Sequence, residues 1–539
     1  MRARRTVAAL AATGSILATL WVLRAFNRLP PRELDEDAFP PRHDSVSPLR
    51  TAAEDAAKGH DGQSGIHLLA DANDAFAARI LLARQAKRHL DLQYYIWHGD
   101  RTGTLLLEEV HSAAERGVQV RLLLDDNGIS GLDTILSALD RHPNIEVRLF
   151  NPFRIRFPKA AGFALDFGRL NRRMHNKSFI VDDAATIVGG RNIGDEYFGA
   201  GDGGLFADLD ALAIGPVVAS VIADFDRYWD CSSSYPASQI LPRVSEAQRR
   251  KLTRRASLVE KDPSARQFVE RITSLPIVQS LLEGTLELTW AEVELISDDP
   301  AKACGDVDPD GLLATQLVET LGNPKREMFV IAGYFVPGDT VTRSLCDMAS
   351  SGVAVSVLTN SFAATDVKLV HAGYAQTRKD LLQSGVRLFE MYGTTHASPS
   401  RKERRRGSRL GIGSTLRGSG TGSTAAPRSH ASTLHAKTFS VDGERLFIGS
   451  FNLDPRSIEL NTELGFVIHS PDLAKQVGSV FERLAPAAAY ELRLQEDGRL
   501  SWVERHDDEE IVHAEEPNMT VGDHLMIGVA QRLPIQWLL

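Results

Sequence analysis

MHNKSFIVDDAATIVGGRNIGDEYF (Met174 to Phe198) and LHAKTFSVDGERLFIGSFNLDPRS (Leu434 to Ser457) are two versions of one pattern. Both satisfy H-x-K-x4-D, through His175, Lys177 and Asp182 in the first and His435, Lys437 and Asp442 in the second. With 16 histidines in 539 residues and Lys and Asp at ordinary abundance, chance predicts well under one such match per chain. Two matches are no accident if the stretches around them also repeat.

They do. GTLLLEEVHSAAERGVQVRLLLDDNG (Gly103 to Gly128) has apolar residues at helical spacing, a stop at Gly117 and then a strand-like run. DTVTRSLCDMASSGVAVSVLTNS (Asp339 to Ser361) repeats helix, glycine (Gly352) and strand. A strand precedes each, LDLQYYIW (Leu90 to Trp97) and EMFVIAGYFV (Glu327 to Val336), and a short strand ending in VRLF follows each, at Phe150 and Phe389. Alternating strands and helices predict parallel βαβ units in each half. The chain reads as two copies of one α/β domain.

The motif spacing has a physical meaning. Residues i and i+2 of a strand point to the same face, so His175 with Lys177, and His435 with Lys437, project side by side. Asp182 and Asp442 fall at the strand end, and Asp442-Gly443 is a hairpin turn signal. The aspartates therefore fit either chemistry or a structural task, holding the turn and the lysine. The next strands end in Gly189-Gly190 and Gly449-Ser450, where glycine admits close backbone approach. Asn192, Asn452 and Ser450 are candidate donors to phosphoryl oxygens. Two His, two Lys and two Asn around one anionic centre suit phosphodiester chemistry: one imidazole attacks phosphorus, the other protonates the leaving oxygen, and the lysines offset charge. No carboxylate cluster suggests Mg²⁺ and no G-x-x-x-x-G-K-[ST] loop occurs, so neither a metal nor a cofactor is expected. An attacking imidazole is usually held in one tautomer by a carboxylate. Asp208 and Glu463, 33 and 28 residues beyond their histidines, are available; read alone, each fits equally well an ordinary strand acid facing solvent.

The rest of the chain sets the context. Hydrophobic residues at 43% and charged residues at 24% are close to the globular average, which excludes disordered and fibrous classes. A net charge of -9 argues against a dedicated duplex-DNA binder. Three cysteines without short spacing predict neither a disulfide framework nor a zinc site. Residues Thr6 to Leu23 carry no charge and follow Arg2, Arg4 and Arg5. The run is near the minimum that spans a bilayer and lacks a small-x-small cleavage site before Arg24, which favours an uncleaved anchor over a signal peptide. The leading arginines favour an inside N-terminus and a catalytic body on the periplasmic side, although Arg24, Arg28 and Arg32 blunt the asymmetry. The expected order is an anchor (1–26), a polar linker (27–63), a first domain (64–245), a connector (246–288), a second domain (289–488) and a C-terminal extension (489–539). A Gly/Ser-rich insertion with RKERRR at Arg401 to Arg406 occupies 394–432.

With these residues in hand, the sequence resembles the phospholipase D superfamily, defined by paired HKD motifs, and most of all its bacterial cardiolipin synthase branch. The likeness extends to GYFVPGD, TNSFAATDVKLVHAGY and GSFNLDPRSIELNTE. The resemblance implies two pseudo-twofold-related α/β/α/β/α domains sharing one active site. It implies His175 as nucleophile, His435 as general acid, Lys177, Lys437, Asn192 and Asn452 at phosphate-binding positions, and Asp208 and Glu463 as the acids that orient the histidines. One departure is Gly190, where the second half has Ser450. The implied activity is phosphatidyl transfer to cardiolipin from phosphatidylglycerol and a second glycerophospholipid, phosphatidylglycerol or phosphatidylethanolamine, through a phosphohistidine. A hydrolytic phospholipase D is the near alternative and a nuclease the distant one. The expected partners are membrane glycerophospholipids at the bacterial inner membrane, with no nucleic acid; sequence is silent on any helper protein.

Overall fold

The computed structural model describes residues 27–33, 46–200, 205–245, 247–248, 263–365, 367–393, 433–506 and 509–532. The expected anchor and the basic insertion lie outside the described residues. Among the described residues no helix is long and apolar enough to cross a membrane.

The first half supplies β1 (Ser64–Leu69), β2 (His89–Ile96), β3 (Gln119–Gly128), β4 (Ile145–Phe150), β5 (Ser178–Val181), β6 (Ala185–Gly189), β7 (Phe206–Ala207), β8 (Asp210–Ile214) and β9 (Ser234–Pro236). The second supplies β10 (Thr289–Ser297), β11 (Glu327–Ala332), β12 (Ala354–Asn360), β13 (Arg387–Met391), β14 (Thr433–Leu434), β15 (Lys437–Val441), β16 (Arg445–Gly449), β17 (Leu464–His469), β18 (Ala489–Leu494), β19 (Leu500–His506) and β20 (Glu509–His513). Hydrogen bonding orders the first sheet β9-β4-β3-β2-β5-β6-β8-β1 and the second β10-β17-β16-β15-β11-β12-β13-β18-β19-β20. The expected parallel units are β2-β3-β4 and β11-β12-β13, and each is flanked by the antiparallel hairpin that carries an HKD motif. Antiparallel pairing of β1 with β10 joins the two sheets, so the pseudo-twofold relating the halves falls between these strands. The segment after 488 does not stand apart: β18 pairs with β13 and extends the second sheet.

Local chemistry explains the elements. The helix Arg101–Glu115 starts where the Asp100 carboxylate accepts the Gly103 N–H and stops before Gly117, whose φ of +93° suits glycine. Its counterpart Gly338–Ser350 stops before Gly352 at +97°. Helices Val217–Asp230 and Pro471–Ala488 follow β8 and β17, the strands next to the joined pair β1 and β10. Val218, Val221 and Phe225 of one share a core cluster with Leu473, Ala474 and Val477 of the other, over Ile180 and Ile448. Each fully buried aliphatic or aromatic side chain there stabilises the shared core by about 1.5–3 kcal/mol relative to exposure. The halves are fused through a common apolar interior, and this fixes the site that lies between them.

Candidate active site

The two motif hairpins are built alike. Asp182 and Asp442 adopt positive φ (+52° and +56°) in three-residue turns between β5 and β6 and between β15 and β16. The Asp182 carboxylate accepts the backbone N–H groups of Lys87, Arg88 and His89 at 2.8–3.2 Å; Asp442 accepts those of Lys325, Arg326 and Glu327 at 2.7–3.2 Å. These aspartates pin the start of β2 and of β11 to the motif hairpin, at the edge away from the histidines. Of the two roles open to Asp182 and Asp442, these contacts are of the structural kind, and they are made to the backbone rather than to the motif lysines.

At the other end of each hairpin the chain crosses to the opposite half. His175 precedes β5 and is held extended by its N–H on Thr462 O (2.8 Å), with Thr462 N–H returning to Arg173 O (2.9 Å). His435 follows β14, which pairs in parallel with β7 of the first half, and its N–H reaches Ala207 O at 2.8 Å. Asn360 secures this segment by bonding both Leu434 O (2.8 Å) and Leu434 N (2.9 Å). The motif histidines thus sit just outside the strands on which their spacing placed them, yet Lys177 and Lys437 keep the expected side. Each ammonium donates to the carbonyl of its own motif histidine, and Lys437 Nζ lies 3.0 Å from His435 Nδ1.

The orienting acids are exchanged between halves. His175 Nδ1 lies 2.7 Å from Glu463 Oε2, and His435 Nδ1 lies 2.6 Å from Asp208 Oδ2. Both carboxylates are fully buried. Glu463 is further fixed by the Ser450 hydroxyl (2.5 Å) and the Ser457 hydroxyl (2.7 Å), and its N–H donates to Asp298, which is ion-paired to buried Lys302 at 2.9 Å. With Nδ1 engaged in both rings, Nε2 is the nitrogen left for chemistry.

Other sequence candidates divide. Asn452 Oδ1 is buried without a hydrogen-bond partner, as suits a group awaiting a ligand. Asn192 is engaged structurally, accepting Ile96 N–H at 3.0 Å and donating to the Tyr197 hydroxyl at 3.1 Å. Ser450 was expected to face phosphate; its hydroxyl instead donates to Glu463 and accepts Leu464 N–H at 3.0 Å, so it positions the acid. The Gly190 departure also has a cause. A Cβ there would lie 2.1 Å from Asp208 Oδ1, so the shorter acid of the first half requires glycine.

Sequence reasoning missed the aromatic wall. Tyr95 meets the His175 ring edge-on at 4.9 Å, while Phe206 stacks on His435 at 5.3 Å with Tyr197 and Tyr334 edge-on around it. Tyr95 and Tyr334 lie in the repeated strand segments before each helix, which was the available signal; Phe206 gave none.

Burial dominates the electrostatics. It drives His175 well below the ordinary histidine value, helped by Lys177 and Lys437. It takes His435 down to about 4, with Lys437 adding to the effect and Asp208 opposing it. Burial pushes Lys177 down to about 7 against the pull of Glu463, and pushes Glu463 up to about 7 against Lys177 and the serine hydroxyls. Burial also pushes Asp208 upward, but His435 and Lys437 outweigh it and hold this carboxyl below the usual range. The two dyads therefore differ: the His175 side favours a neutral imidazole, and the His435 side keeps a firm counter-charge for an imidazolium. Among the described residues, one group could hold a metal, His111, Glu115 and His142, with ligand atoms within 4.8 Å of one another. It lies where the helix Arg101–Glu115 ends, and His142 Nδ1 accepts Asn144 N–H, leaving the proton on the nitrogen that a metal would need.

Two fused α/β repeats, each lending a carboxylate to the other's histidine beside a buried lysine, define a phospholipase D-type enzyme. Residues 80–229 and 317–485 match the family model described as cardiolipin synthase, phospholipase D-like domain. The chain belongs to this family. It is 46% identical over 491 residues to cardiolipin synthase C of Escherichia coli (strain K12), covering 91% of this chain and 99% of that one. It is 23% identical over 420 residues to the major cardiolipin synthase of Bacillus subtilis (strain 168), covering 78% and 68%. The crystal structure of phosphatidylserine synthase from Haemophilus influenzae Rd KW20 shares the fold, with a TM-score of 0.54 at 13% identity over 90% of this chain and 98% of that one.

Proposed function

We propose that this protein is a membrane-associated phosphatidyltransferase that makes cardiolipin, and that the crossed His–carboxylate pairs carry the reaction. His175 Nε2 attacks the phosphorus of a glycerophospholipid, phosphatidylglycerol or phosphatidylethanolamine. The P–O bond to the headgroup breaks, and His435, as imidazolium, gives its Nε2 proton to the departing oxygen. The phosphatidyl group now resides on His175. The free primary hydroxyl of a phosphatidylglycerol then loses its proton to His435 and attacks phosphorus, so that cardiolipin leaves and both histidines return to their starting states. Lys177, Lys437 and Asn452 face the phosphoryl oxygens, and the bound phosphate restores charge to Lys177 and His435. Thr6 to Leu23 serve as the single inner-membrane anchor, with the body on the periplasmic side.

The support is the asymmetry of the dyads together with membership of the cardiolipin synthase family. The test is to incubate full-length protein in vesicles with labelled phosphatidylglycerol, with and without phosphatidylethanolamine, and to resolve the lipid products. Cardiolipin is expected; phosphatidic acid alone would overturn transfer in favour of hydrolysis.

A further inference from the structure

The motif histidines lie at the edge where β2, β3, β4 and β11, β12, β13 end, and each half presents an apolar projection at this edge. In the first half it is Phe157. The loop after β4 is tied to the end of β3: Asp126 accepts Phe153 N–H at 2.6 Å and pairs with Arg156 and Lys159, and Arg156 also pairs with Asp133. The neighbouring residue Asp125 accepts Met174 N–H at 2.9 Å, immediately before His175. A loop fastened this firmly nevertheless leaves Phe157 92% exposed, beside exposed Arg154. In the second half it is the helix Val521–Ala530, capped by Thr520 and Asp523 and held by Lys368–Asp523 at 3.0 Å. Its Ile527 and Ala530 pack with Val336 and Phe362, which follow β11 and β12, and with Tyr334, which flanks His435. Its outer face carries Val521, Leu525 and Val529, four residues apart and 88%, 72% and 51% exposed.

We infer that Phe157 and the Val521/Leu525/Val529 stripe form a two-point docking face that seats the mouth of the active site on the interface of a phospholipid bilayer. This rests on the phosphatidyltransferase reading, whose substrates reside in that bilayer. Structurally secured apolar side chains in water signal an interaction site. A second copy of the chain is a poor occupant. One ring of about 150–250 Å² and a three-residue stripe, on different halves, fall short of the roughly 800 Å² per partner of a stable protein interface. A bilayer asks only for separate insertions at one level, with a cation such as Arg154 among the headgroups. The sequence after the helix, LPIQWLL, has the aliphatic and Trp composition favoured at that interface.

The experiment uses full-length protein in vesicles of phosphatidylglycerol and phosphatidylethanolamine, with benzoylphenylalanine introduced at Phe157 or Leu525. As a control it is introduced at Val318, 67% exposed and one turn before Leu321, which bonds Arg445 at the opposite edge. Irradiation is expected to give acyl-chain adducts at the first two positions and none at the third. In parallel, Phe157→Ser/Leu525→Ser should lower turnover of vesicle lipid about ten- to hundred-fold, from the transfer free energies lost, while turnover of a monomeric short-chain phosphatidylglycerol stays unchanged. Adducts to residues 533–539, to a second copy, or absent altogether would overturn the docking face, as would equal loss on the soluble substrate. Acyl adducts without cardiolipin formation would overturn the synthase reading and support the face; cardiolipin formation without acyl adducts would overturn the face alone.

Discussion

Replacing Glu463 with glutamine tests the crossed geometry directly, because the acid is in the second half and the histidine it touches is in the first. The two oxygens of Glu463 accept from His175 Nδ1 (2.7 Å), Ser450 Oγ (2.5 Å) and Ser457 Oγ (2.7 Å). With the glutamine oxygen kept at the Oε1 position on Ser457 and the Ser450 hydroxyl turned to Leu464 O (3.2 Å), the amide hydrogens take the Oε2 position and face His175 Nδ1. Nδ1 must then accept, the ring proton moves to Nε2, and the atom that should attack phosphorus loses its lone pair. Loss of a tautomer-fixing carboxylate in a comparable triad lowers kcat by about 10⁴. A fall of about 10³–10⁴, or about 4–5.5 kcal/mol, is expected here. Asp208→Asn disturbs the acid instead, because His435 then cannot be held as an imidazolium. The assay is a burst experiment with a phosphatidyl ester of p-nitrophenol, whose departure needs little protonation. Asp208→Asn should retain much of the burst and accumulate the His175 adduct, seen by acid-quenched mass spectrometry, whereas Glu463→Gln should show neither. A burst in Glu463→Gln together with none in Asp208→Asn would refute the crossed assignment.

The histidines should behave as one unit: His175→Ala and His435→Ala each remove nearly all cardiolipin formation, the double variant is little worse, and half activity in either single variant would break the shared site. Gly190→Ser, which copies the second half into the first, should displace Asp208 from His435 and lower kcat about 10²-fold or more, measured on protein with unchanged circular dichroism. Asp182→Asn keeps a side chain that tolerates positive φ but weakens three charge-assisted bonds, so thermal unfolding should report about 2–4 kcal/mol less stability. The pH profile of kcat/KM should be a bell with its optimum on the acid side of 7, because the His435 imidazolium, at about 4 in the empty site, is required as well. Glu463 must be ionised, and its protonation below about 7 sets the acid limb; Lys177 must be charged, so activity falls as pH rises through about 7. Bound phosphate should move the alkaline limb of kcat upward, and a flat profile between pH 5 and 9, a span of about four units around these values, would contradict the burial argument.

The sequence by itself determined the repeat, the βαβ units and both HKD pairs, because each depends on short periodicities: two residues for a strand face, helical spacing for a buried stripe, a glycine where a helix stops. Asp208 and Glu463, read alone, fitted a solvent-facing strand acid equally well, and only the family resemblance pointed to them. The same spacings placed Asp182 and Asp442 at hairpin turns, although residue types alone left their task open between turn and chemistry. What only the tertiary structure decided was partnership. Chain proximity assigns Asp208 to His175 and Glu463 to His435, yet the bonded pairs are 227 and 288 residues apart. The reason is sheet geometry. Within the first half β5, β6 and β8 lie side by side, so His175 before β5 and Asp208 before β8 are two strand spacings apart, roughly 9–10 Å. That exceeds hydrogen-bond reach, and a histidine brought in from the other half by the shared core fills the gap. Phe206 and Tyr197 escaped the sequence for the same reason, since they reach His435 only when the two halves close on a common interior. The diversion of the Ser450 hydroxyl to Glu463 is instead a contact at the ends of the adjacent strands β16 and β17, which residue types alone did not signal.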